Sequence, residues 1–87
     1  MRERVYEVFQ EGFNLQYFKD EGKTIDGAFG FRVIIDKLSS DGLLEESADT
    51  GYVLKSVDQT DMLLSLLSRN SVTPICLMEV LGDLGVV

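Results

Sequence analysis

Eighty-seven residues, 45% of them hydrophobic and one of them proline, are enough for a single domain with a modest core, and they exclude an intrinsically disordered chain. The net charge is −7 and histidine is absent, which removes the commonest general base, the commonest zinc ligand and every Ser-His or Cys-His nucleophile pair. The charge is uneven: residues 1–37 hold six of the eight cations, whereas residues 38–87 net −6, so the second half repels a phosphate backbone.

The opening MRERVYEVFQEG alternates charged and apolar residues and lacks the basic start and apolar run of a secretory signal. From Arg2 to about Lys19, the apolar residues Val5, Val8, Phe9, Phe13, Tyr17 and Phe18 recur at three- and four-residue steps, which predicts one helix, or two short helices meeting at Gly12 with Asn14 capping the second. Asp20-Glu21-Gly22-Lys23 predicts its C-cap and a turn. Thr24 or Asp26 then caps a second helix through Ala28 to Ser40, with Phe31, Ile34, Ile35 and Leu38 facing the core.

Asp41-Gly42 ends that helix, and the β-prone runs Leu43–Glu46 and Tyr52–Leu54 flank a polar turn, predicting a hairpin. Ser56 and Gln59 form a capping box ahead of a third helix, for which Asn70 is the stop. Thr73-Pro74 starts a fourth, which runs from Ile75 to Leu84 and ends at Gly82 or Gly85. The expected fold is mainly α with one β-hairpin, in a single domain spanning residues 1–87.

Arg32-Val-Ile-Ile-Asp-Lys-Leu-Ser-Ser-Asp-Gly-Leu-Leu-Glu-Glu-Ser, followed by Gly51-Tyr-Val-Leu54, resembles the core of a winged helix-turn-helix domain over about residues 24–55. The resemblance implies a small winged-helix-like domain with C-terminal helices. Its recognition helix would be roughly residues 27–40, with Arg32, Asp36 and Lys37 outward, and its wing tip would be Ala48–Gly51. Glu45, Glu46 and Asp49 stand on that wing where phosphate-contacting cations are expected, which favours protein docking over DNA binding.

No segment carries a cofactor or metal signature. Around Asp41-Gly42 a calcium loop would need an acid at Lys37 and at Ala48, and Asp26-Gly27-Ala28-Phe29-Gly30 lacks the spacing of a phosphate cradle. Glu45-Glu46 and Asp58/Asp61 read as solvated or capping charges, and Cys76, between Ile75 and Leu77, as a buried inert thiol.

The expectation is therefore a non-enzymatic, cytoplasmic regulator of adaptor or inhibitor type that binds a protein partner through Tyr17, Phe29, Arg32, Asp36 and Lys37. The C-terminal helix is so apolar that it needs cover. Ile75, Leu77, Met78, Leu81 and Leu84 are its candidate contacts in a homodimer or hetero-complex. The alternative is a winged-helix DNA-binding regulator using Arg2, Arg4, Lys23, Arg32 and Lys37, with a steep salt dependence. No apolar run approaches the roughly 20 residues of a membrane span.

Overall fold

The computed structural model describes residues 2–86 and is built on a β-sheet. Strands β1 (Arg2–Gln10), β2 (Phe13–Lys23), β3 (Phe29–Ser39) and β4 (Leu44–Asp49) form an antiparallel meander in the order β1-β2-β3-β4. Helix α1 (Val57–Arg69), a 3₁₀ turn (Pro74–Cys76) and helix α2 (Leu77–Leu84) follow.

The expected first helix is instead the β1–β2 hairpin. Gln10 pairs with Phe13, which leaves Glu11-Gly12 as a two-residue connection, and Gly12 takes φ 87°, a conformation that costs glycine nothing. Phe13, Leu15 and Tyr17 lie on one face of β2, and Asn14, Gln16, Phe18 and Asp20 on the other. The apparent helical spacing arose because two strands of period two were read across their turn.

The winged-helix expectation is overturned in the same way. Its recognition helix, residues 27–40, lies largely in β3, an interior strand paired with both β2 and β4. Val33, Ile34 and Ile35 are buried in succession, which a strand covered on both faces accommodates and which suits β-branched residues. The predicted wing is not a hairpin either, because Leu44–Asp49 pairs with β3 and Leu54 forms an isolated bridge to Phe31.

The second half matches its expectation more closely. Ser56 caps α1 by accepting the Gln59 amide at 3.0 Å, and Gln59 Oε1 accepts from Lys55 N at 3.1 Å. Asn70 is the C-cap of α1, Pro74 opens the 3₁₀ turn, and Gly85 ends α2 at φ 75°. Cys76 is exposed, contrary to the buried thiol expected. Val87, one of the apolar residues at the chain's end, lies outside the described residues.

One core joins the layers. Leu15, Tyr17, Val33 and Ile35 meet Leu63, Leu64 and Leu67 of α1, Leu77 and Leu81 of α2, and Leu54 and Val72 of the connecting segments. All helices therefore lie on one side of the sheet, and the other side must manage its own contact with solvent.

Candidate interaction surfaces

The helix-free face of the sheet is closed by ion pairs. Phe18 and Ile34 sit opposite each other there, and each is less than a tenth exposed. Arg2, paired in register with Asp20, reaches across Phe18 with its guanidinium 4.0 Å from the ring centre and donates to Asp36 at 2.9 Å. Ser47 donates to the other oxygen of Asp36 at 2.6 Å. Arg32 binds Asp20 at 2.9 Å and approaches Asp49 at 3.5 Å, and the Tyr52 hydroxyl donates to Asp20 at 2.7 Å.

Tyr52 reaches that position because the strands beneath it carry no side chain. Gly22 and Gly30 are cross-strand partners, and a Cβ on Gly22 would stand 2.5 Å from the Tyr52 ring. Two arginines, three aspartates, a serine and a tyrosine thus form a saturated cover in which each long side chain lies over apolar surface.

The Tyr52 hydrogen bond, assisted by Arg32, outweighs burial and holds the Asp20 carboxyl down to about 2 from its ordinary 3.8. Its contribution to stability is therefore complete above about pH 3.8 and is lost as pH falls from there towards 2. Acid titration of thermal stability is expected to show a steeper fall for the wild type than for Asp20→Asn in that interval. Equal slopes would mean that Asp20 is not held by this network.

The helical side carries a different surface. Leu54, Met62, Leu63, Leu66, Leu84 and Val86, with Gln59, line an open apolar groove of about 240 Å³ between α1 and α2. Met62 is 73% and Leu84 47% exposed. The groove is smaller than typical small-molecule sites of roughly 300–1,000 Å³, and its size suits the anchor side chains of a macromolecule. From Ser56 onward Asp58, Asp61, Glu79 and Asp83 stand against Arg69 alone, and of these acids Asp61 is neutralised by Lys19 at 3.3 Å.

A larger open cleft of about 610 Å³ lies at the β2–β3 turn, beside Ile25, Tyr52 and Val53. Most of its polar side chains are committed locally, since Thr24 bonds Asp26 and the Ala28 backbone and Tyr52 serves Asp20, and Lys23 is the exception. That leaves few groups to orient a ligand. Among the described residues no group of three metal-ligating side chains occurs, and no helix is long and apolar enough to cross a membrane.

The residues singled out in the sequence are dispersed. Arg32 and Asp36 share the ion-paired face. Phe29 is 71% exposed at the end of β3. Tyr17 is fully buried in the core and donates to the Val72 carbonyl, and Lys37 pairs with Glu46 and lies over the Phe13 ring. Of the five candidate contacts near the chain's end, Leu77 and Leu81 of α2 are fully buried within the chain, whereas Ile75 of the 3₁₀ turn and Met78 and Leu84 of α2 are exposed. Sequence reasoning missed Asp20 and Ser47 and placed Asp49 and Tyr52 in a hairpin; the alternation Asn14, Gln16, Phe18, Asp20 was the signal that β2 had a polar face.

These features define a small two-layer, mainly β domain of α+β type, an antiparallel meander sheet backed by helices, with a built ionic cover on one side and an uncovered apolar groove on the other. Residues 4–85 match the family model described as "Family of unknown function (DUF6514)", and the chain belongs to that family. No curated protein and no solved structure matches it.

Proposed function

We propose that this chain is a non-enzymatic, cytoplasmic protein-docking module whose groove between α1 and α2 takes a basic amphipathic helix from a partner. The observation that carries the reading is the exposed apolar pair Met62 and Leu84 at the groove, on helices that are net acidic. Helix-in-groove recognition uses apolar anchors at i, i+3 or i+4 and i+7, and flexible methionine adapts to their shape. The groove lining itself is uncharged, and the net negative charge of the two helices around it adds long-range steering for a cationic helix.

A nucleic-acid partner has less support. Arg2, Arg4, Lys19, Arg32 and Lys37 each lie within ion-pair distance of a carboxylate, so most of the positive charge is already neutralised at short range. The absence of histidine and the saturated sheet face support a non-enzymatic role. A lone cysteine, unable to form an intramolecular disulfide, supports the cytoplasmic setting.

Fluorescence anisotropy with a labelled leucine/lysine peptide of helical periodicity, against a scrambled peptide of equal composition, tests the reading. The patterned peptide is expected to bind, and the Met62→Ser/Leu84→Ser double variant to weaken it by about tenfold or more while remaining folded. Equal binding of both peptides, or an affinity unchanged in the double variant, would sink it.

A further inference from the structure

The sheet has one long edge whose outer side is unpaired among the described residues. β1 pairs only with β2, and among the described residues none of the backbone hydrogen bonds outside the strand ladders and helices involves residues 2–10. The opposite edge strand, β4, is shorter, six residues against nine, and two of its three acids, Glu46 and Asp49, are already paired with Lys37 and Arg32 of β3. β1 differs, because its charges Arg2, Glu3, Arg4 and Glu7 are of mixed sign.

β1 is also irregular. Arg4 pairs with Phe18 and Tyr6 with Tyr17, so Val5 is an extra residue inserted between them. Val5 packs against the core and Tyr6 stands opposite buried Tyr17, which places these consecutive residues on the same, helix-bearing face. Arg4 and Glu7 on either side both belong to the ion-paired face, opposite Phe18 and Gln16.

We propose that the β1 edge pairs antiparallel with β1 of a second copy, joining two sheets around a two-fold axis. The bulge selects the register. Cross-strand partners must share a face, and among registers that run through the bulge only one satisfies this at every pair: Val5 opposite Tyr6 of the second copy. That register places Arg4 opposite Glu7 of the second copy, Glu3 opposite Val8, and Arg2 opposite Phe9. Two-fold symmetry repeats each pair, so the contact gains two Arg–Glu pairs and covers Phe9, which is 72% exposed in the single chain.

Within one chain Arg4 and Glu7 lie 3.6 Å apart, so loss of a dimer on mutating either could be a purely intramolecular effect. A charge-swap mixing experiment separates the two. Sedimentation equilibrium of the full chain is expected to give twice the mass of one chain at micromolar concentrations. Arg4→Glu alone and Glu7→Arg alone are each expected to weaken self-association by about tenfold or more, since each sets like charges opposite one another twice.

An equimolar mixture of the two single variants is expected to form a heterodimer, because the first then carries two glutamates opposite two arginines. The double variant Arg4→Glu/Glu7→Arg is expected to regain the homodimer. A wild type that stays monomeric overturns the proposal. So do single variants that dimerise as the wild type does, or a mixture and a double variant that both stay monomeric. None of these outcomes depends on the groove between α1 and α2.

Discussion

Replacing Tyr17 by phenylalanine is expected to destabilise the protein by about 1–3 kcal/mol and to flatten the alkaline end of its stability profile. Tyr17 is fully buried at the centre of β2, and its hydroxyl donates to the Val72 carbonyl at 3.0 Å, across 55 positions of sequence. That bond fastens the segment between α1 and the 3₁₀ turn to the sheet. Phenylalanine keeps the ring and its packing but leaves the carbonyl without that donor, so the cost is chiefly one of polar desolvation.

Burial also pushes the Tyr17 phenol up to about 12 from 10.0. The unfolded chain gives up this proton first, so the stability due to neutral Tyr17 is whole below pH 10.0 and drains away as pH rises towards 12. A gap of that size corresponds to about 2–3 kcal/mol. Denaturant titrations between neutral pH and about 12 should show the wild type losing more than Tyr17→Phe. A residual slope is expected in the variant, because the bond to Asp20 raises Tyr52 as well. Parallel curves would show that water reaches the Tyr17 hydroxyl.

The two halves of the chain differ in how much their sequence discloses. Ser56, Asn70, Pro74 and Gly85 act through local backbone chemistry, since a cap needs only its own neighbours, and those boundaries were readable. The first half depends on pairing between strands. Val5, Val8, Phe9, Phe13, Tyr17 and Phe18 fit a helical stripe by spacing, but Gly12 divides them between two strands, and the Val5 bulge breaks the alternation that would have revealed β1.

Asp20 was hidden for a related reason, and Asp36 was named only as an outward docking residue. As isolated acids they resemble surface charges, and only the register brings Arg2 over Phe18 to Asp36 and Arg32 beside Asp20. The groove was partly foreshadowed by the unusually apolar last helix. What the sequence could not divide was that helix's two sides, one spent on the core and one left open.

That division sets the largest expected effect. α2 has eight residues, too few to be stable as an isolated helix, so it persists by burying Leu77 and Leu81, which stand four apart on one face. Leu81→Ala is expected to cost about 2–5 kcal/mol, as a cavity in a packed core does. Met78→Ala, on the 55% exposed side, should stay within about 0.5 kcal/mol. Because Leu84 and Val86 wall the groove, loosening α2 also removes one side of the docking surface. Leu81→Ala should therefore lose stability, amide-exchange protection over residues 77–86 and affinity for the patterned peptide together. Met62→Ser/Leu84→Ser, by contrast, should lose affinity while remaining folded. If Leu81→Ala keeps the stability of the wild type, α2 is not docked on the core, and a groove walled by it has no fixed shape to offer a partner.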